Sequence, residues 1–232
     1  MLRLRLAATE FIGAFFLVLV VALSGNPFVV GLTLTVMVYA GAAISGGHYN
    51  PAVSFAFFLL RKLSLKRFAL YAAAQILGGL AAYLVATYAE GGKIVGLVQA
   101  LDSTLFLQVF IWEAIFTLLL VYTVLAVTVN RKVEGNQYFG LAIGLTIFIG
   151  GITAGAITGG LFNPAITLAS AAYYFESPDK NLLGLSTLVY VLAQLTGATG
   201  AVLLNKLILS ESDTISLRLF KKAQKLVKAE KN

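Results

Sequence analysis

Cysteine is absent from this 232-residue chain, so no disulfide can staple it and no thiolate can serve as nucleophile or metal ligand. One histidine and no cluster of carboxylates leave nothing from which to assemble a catalytic metal centre, and no cofactor is expected. Charge is scarce as well: 17 Lys and Arg with 10 Asp and Glu make only 12% of the residues, against about 25% in a soluble globular chain. The few charges are clumped. None falls between Glu10 and Arg61, and residues 68–89, 135–175 and 181–205 carry none. A water-soluble domain cannot leave such runs uncharged, which excludes a soluble enzyme, a nucleic-acid module and a disordered chain together. What is present is apolar, at 59% hydrophobic residues. The composition describes a multi-spanning membrane protein. The net charge of +7 therefore bears on orientation, and no nucleic-acid partner is implied.

A spanning helix needs about 20 mostly apolar residues. Six windows qualify: 7–24, 28–45, 68–88, 104–129, 138–157 and 182–209. Two further apolar stretches, 50–60 and 163–174, are too short to cross; each follows a Gly-rich break and begins with Asn-Pro. Such pieces read as re-entrant segments, which a membrane tolerates only where they are buried in protein or line a water-filled cavity. Arg3, Arg5 and the later Ala22-Leu23-Ser24 also suit a secretory leader. Glu10 at the front of that run, and a counterpart of the segment later in the chain, favour a retained span.

Six spans put both termini on one side. That side would hold fifteen of the 17 basic residues, leaving Lys93 and Lys180 opposite. The excess places both termini in the cytoplasm of a multi-pass cell-membrane protein. The tail, residues 211–232, carries Leu219, Phe220, Ala223, Leu226 and Val227 at helical spacing among lysines. It reads as a basic amphipathic helix on anionic lipid, or equally as a solvated tail.

Self-comparison is the most informative step. Residues 44–56, Ile-Ser-Gly-Gly-His-Tyr-Asn-Pro-Ala-Val-Ser-Phe-Ala, match residues 157–169, Ile-Thr-Gly-Gly-Leu-Phe-Asn-Pro-Ala-Ile-Thr-Leu-Ala. Seven of the thirteen positions are identical, and most others exchange Ser for Thr, Tyr for Phe, Val for Ile or Phe for Leu. Tyr71-x-x-Ala74-Gln75-x-x-Gly78 matches Tyr190-x-x-Ala193-Gln194-x-x-Gly197, and Glu10 opens the first span as Glu113 opens the fourth. The halves, 7–90 and 104–209, each hold three spans and a half-span within one membrane domain. Three is odd, so the second half is inserted inverted relative to the first. The half-spans then enter from opposite faces and meet near the middle. At about 1.5 Å per residue, two segments of about ten residues cover the roughly 30 Å core.

Asn is a good N-cap and Pro suits the first helical position. Asn50-Pro51-Ala52 and Asn163-Pro164-Ala165 should therefore begin two facing half-helices. Each N-terminus carries roughly half a positive elementary charge, so two converging ones oppose cations, protons included. The stretches Gly46-Gly47-His48 and Gly159-Gly160-Leu161 cannot be helical if the chain is to turn, and their carbonyls are free to line a path. Donors at the centre with acceptors towards each mouth describe a pore for small neutral molecules.

The doubled Asn-Pro-Ala, the paired Glu10 and Glu113, and the Ala-Gln-x-x-Gly of the third and sixth spans resemble the aquaporin, or major intrinsic protein, family over roughly residues 7–209. The resemblance implies an all-α membrane protein: a right-handed bundle of six helices and two half-helices, an inverted repeat, and a homotetramer with a pore in each subunit. It also implies passive permeation of water or small uncharged solutes. In the family, the matches of Glu10 and Glu113 bond loop backbone beside the half-helices, so both are expected to be structural. His48 offers either a pH-sensitive gate or, more simply, a neutral residue that fixes the loop. The alternative is an ion-coupled secondary transporter on the same inverted plan. Beyond the two Glu and His48, the spans offer no acid or base for coupling.

Family members narrow at a filter of four residues. By the family's spacing from the two Asn, these are Val30, Gly151, Gly160 and Ile166 here. The usual Arg, third after the second Asn, is replaced by Ile166, and Thr167 stands where glycerol facilitators carry Asp. Two glycines and two aliphatics imply a wide, apolar constriction that passes solutes larger than water, such as glycerol, urea or metalloid hydroxides. Restoring the cation with Ile166→Arg should slow solute uptake; unchanged glycerol and water rates would remove residue 166 from the filter.

Overall fold

The structure, a computed structural model, describes residues 1–89, 103–173 and 180–229. Among the described residues eight α-helices follow one another: α1 Leu2–Ser24, α2 Pro27–Ser45, α3 Pro51–Leu59, α4 Leu65–Ala89, α5 Phe106–Thr128, α6 Phe139–Thr158, α7 Pro164–Tyr173 and α8 Lys180–Ala229. Six of them, counting Leu183–Ile208 within α8, are long and apolar enough to cross a membrane. The order long, long, short, long occurs twice, as the repeat in the sequence requires. This is the all-helical fold of a multi-pass membrane protein.

Local chemistry sets the boundaries. The Asn26 carboxamide oxygen accepts from Phe28 N at 2.9 Å, and Pro27 takes the first position of α2. Asn50 and Pro51 start α3 in the same way. Gly25, Gly46 and Gly159 close α1, α2 and α6 in the left-handed region, with φ of 58°, 100° and 80°. Helix α1 begins at Leu2 and α4 at Leu65, each earlier than the apolar windows starting at 7 and 68. Hydropathy stops at Arg3, Arg5, Lys66 and Arg67, whereas the backbone ladder does not depend on side-chain polarity and runs on through them.

Helix α8 is 50 residues long and continues from the last span to Ala229, with no break near residue 211. Residues 209–229 contain neither Pro nor Gly, so nothing in them interrupts the hydrogen-bond ladder.

Between 39% and 44% of each span is buried within the protein, and the rest presents aliphatic residues such as Leu77, Leu84, Leu188 and Leu203 outward. Lipid is the medium that such a surface fits. Inside, close approach replaces hydrophobic contrast as the packing principle. Helix α1 crosses α4, and α5 crosses α8, at equivalent glycines. A Cβ on Gly78 would fall against the Phe11 carbonyl, and one on Gly197 against the Ala114 carbonyl. The motifs Ala74-x-x-x-Gly78 and Ala193-x-x-x-Gly197 thus mark backbone-to-backbone contacts. Helices α2 and α6, counterparts in the two halves, meet where a Cβ on Gly31 would lie 2.7 Å from Gly144 O. The pseudo-two-fold axis runs between them.

Overfilling such a crossing forces backbone shifts worth about 1–3 kcal/mol. Gly78→Leu should therefore lower the unfolding temperature in detergent by several degrees, read by circular dichroism; a wild-type transition would contradict the close α1–α4 crossing.

Candidate functional site

Two loops carry the site, residues 46–50 and 159–163. Each begins with paired glycines at positive φ (Gly46 100° and Gly47 62°; Gly159 80° and Gly160 66°) and then places a non-glycine residue in the left-handed region, Tyr49 at 50° and Phe162 at 46°. That conformation costs about 1–2 kcal/mol for an L-residue. Hydrogen bonds donated to a buried carboxylate offset it. Glu10 accepts from Ser45 Oγ at 2.6 Å, His48 N at 3.1 Å, Tyr49 N at 2.7 Å and Gln75 Nε2 at 2.7 Å. Glu113 accepts from the equivalent groups: Thr158 Oγ1 at 2.7 Å, Leu161 N at 3.1 Å, Phe162 N at 2.8 Å and Gln194 Nε2 at 2.9 Å. Both carboxylates are fully buried. Tyr71 and Tyr190 complete the cradles by donating to Ser45 O and Thr158 O, each at 2.6 Å.

With the loops held, the half-helices meet tip to tip. Asn50 Oδ1 accepts from Ala52 N at 2.8 Å, and Asn163 Oδ1 from Ala165 N at 2.9 Å. The amide nitrogens reach across the repeat: Asn50 Nδ2 donates to Phe162 O at 2.9 Å and Asn163 Nδ2 to Tyr49 O at 3.0 Å. Each carboxamide has two N–H groups, and these bonds use one of each.

A cavity of about 610 Å³ contains both Asn50 and Asn163, and extends to the loop 129–137. It also takes Gly46, Gly47, His48, Gly160 and Leu161 into its wall, with aliphatics from α1, α2, α5 and α6. A second cavity, of about 440 Å³, lies at the opposite end among Gly25, Pro27, Gly151, Ile152, Gly155 and Gly159. Val21, Val30, Ile147 and Gly160 line both cavities and stand at their boundary. Among the described residues, Glu134 at the 129–137 mouth is the one Asp, Glu, Lys or Arg along either cavity.

The sequence-derived filter residues divide between these spaces. Val30 and Gly160 lie at the boundary, Gly151 faces only the smaller cavity and Ile166 only the larger. Thr167 points away: it is fully buried, with Oγ1 3.2 Å from Asn163 O and 3.0 Å from Gln194 Nε2. His48 is clamped, with Nδ1 3.1 Å from Ser54 Oγ and its ring 4.5 Å from that of Phe57. Val21 and Ile147 belong to no motif. One signal for Ile147 was available: it sits one helical turn from position 151.

Glu113→Gln would set an N–H₂ group among four donors and leave one of them unmatched, at about 1–3 kcal/mol. Chemical denaturation in detergent should show a loss in that range, and an unchanged midpoint would mean the carboxylate does not hold the loop.

The chain is similar to known proteins. The chain is 33% identical to Nodulin-26 of Glycine max over 174 residues, covering 75% of this chain and 61% of that protein. It is 37% identical to Aquaporin TIP1-1 of Arabidopsis thaliana over 142 residues, 60% of this chain and 55% of that protein. The chain thus spans little more than half the length of these curated relatives. A crystallographic aquaglyceroporin from Plasmodium falciparum shares the fold with a TM-score of 0.75, at 22% identity, over 89% of this chain and 96% of that one. The sequence model of the family described as major intrinsic protein matches residues 3–183. The chain belongs to the major intrinsic protein family.

Proposed function

We propose that the protein is a passive channel for water and small uncharged solutes of the glycerol, urea or metalloid hydroxide type. The observation that carries this reading is the meeting of two half-helix N-termini inside a cavity that contains both Asn50 and Asn163. A passing oxygen finds there the second N–H of each carboxamide and, around it, two helix dipoles of about half a positive charge each. A molecule that accepts from both amides turns its own hydrogens away from the junction, so a proton has no acceptor to hop to at that point. Cations meet the same positive ends. The loop residues Gly46, Gly47, His48, Gly159, Gly160 and Leu161 supply backbone acceptors on either side, and Val30, Gly151, Gly160 and Ile166 form an apolar filter region.

The named relatives, two plant proteins of this family and an aquaglyceroporin of the same fold, agree with this class of cargo. The partners are a lipid bilayer and further copies of the chain in a homotetramer. Fifteen of the 17 basic residues on the side of both termini support a cell-membrane orientation with those termini cytoplasmic.

Stopped-flow light scattering on proteoliposomes tests the reading. Shrinkage under an impermeant osmolyte, and re-swelling with glycerol or urea, should be faster than in protein-free vesicles, non-saturating and insensitive to Na⁺ or proton gradients. Flux that saturates or follows an ion gradient overturns it in favour of a carrier.

A further inference from the structure

The family's spacing nominates positions 30, 151, 160 and 166 as the narrow ring, but the geometry distributes them unevenly. A Cβ on Gly151 would sit 2.6 Å from Pro27 Cβ, so the direction in which a side chain would leave position 151 is occupied by the first turn of α2. Gly160 is equally fixed. Its φ is +66°, and a Cβ there would lie 3.3 Å from Gly151 Cα and 3.5 Å from Gly155 Cα. Backbone lies against backbone at this quadrant, so a side chain added there is strained. Ile166 faces the larger cavity alone.

Three side chains remain at the boundary of the two cavities: Val21 on α1, Val30 on α2 and Ile147 on α6. They are 7%, 7% and 8% exposed. All three are β-branched and helical, which restricts Val and Ile to one dominant χ1 rotamer. Such a ring is stiff and has a sharp size limit. It also offers no side-chain hydrogen bond, so a solute that sheds several water contacts to pass gains nothing in return. Ile147 is the largest of the three and adjoins the glycine quadrant, one helical turn from Gly151 on α6.

We propose that Ile147 is the specificity-determining residue of the pore, closing with Val21 and Val30 a rigid apolar ring one helical turn from the position the family's spacing nominates. Ile147 sets the largest solute cross-section, and its lack of a polar group sets the ratio of water to solute flux. This rests on the channel reading above.

The test uses the 232-residue chain in proteoliposomes, with water, glycerol and linear four- and five-carbon polyols as probes. Ile147→Ala should raise five-carbon polyol flux relative to glycerol by roughly tenfold, the scale on which a methylene or two is discriminated in an apolar pocket. Ile147→Val and Ile147→Thr form a second pair of equal volume that differs in one hydroxyl. The Thr variant should show a water-to-glycerol ratio roughly threefold below the Val variant, because its hydroxyl returns one of the contacts that glycerol sheds. This pair decides the matter if the Ala variant does not fold. Wild-type flux equal to that of empty vesicles takes down both the channel reading and this inference. Measurable wild-type flux with an unchanged size profile in Ile147→Ala, or identical ratios in the Val and Thr variants, overturns this inference alone.

Discussion

A carboxylate accepts hydrogen bonds on two oxygens and donates none, and Glu10 and Glu113 use that property to hold the two loops on which the rest of the site depends. Each sits fully buried with four donors around it, two of them backbone N–H groups of the loop. Those bonds hold Tyr49 and Phe162 in the left-handed region. The chain can then turn within the membrane and start a helix with its Asn-Pro pair facing its counterpart. Without an acceptor-only group at that depth, the loop N–H groups would lie unpaired in a medium that supplies no water.

The duplication makes the arrangement self-consistent. Gln75 and Gln194 brace the carboxylates, Tyr71 and Tyr190 brace the residues that end α2 and α6, and each Asn bonds the loop of the other half. The two loops therefore stabilise one another across the axis. The exchange between halves is not complete: His48, packed on Phe57 and Ser54, stands where the second loop has Leu161. The first half thus carries a polar brace that the second replaces by apolar contact.

Much of this could be read from the amino acids because the chemistry is unusual and stated twice. A Glu in an apolar run, an Asn-Pro after two glycines and a Gln one turn before a Gly each have few roles in a membrane, and their recurrence at matching positions removes most of the ambiguity. The pore wall was less legible. Helix α6 is built almost wholly of Gly, Ala, Ile, Leu, Phe and Thr, so no polar stripe separates the lumen-facing side from the lipid-facing side. Ile147 and Ile149 look alike in the sequence, yet one is 8% exposed at the boundary of two cavities and the other 49% exposed and in neither cavity wall. A change in charge along α8 likewise marks no break in its backbone, which is helical to Ala229.

The contact between Gly151 and Pro27 constrains how this pore can change over generations. A residue of any size at 151 displaces the first turn of α2, and a smaller residue at 27 gives up the proline that starts that helix. Either change alone is penalised, so the two positions are expected to be non-additive and to evolve as a pair. Selectivity on this backbone therefore has unequal routes: a single codon suffices where a side chain already meets the lumen, and two coordinated ones are needed at the glycine quadrant.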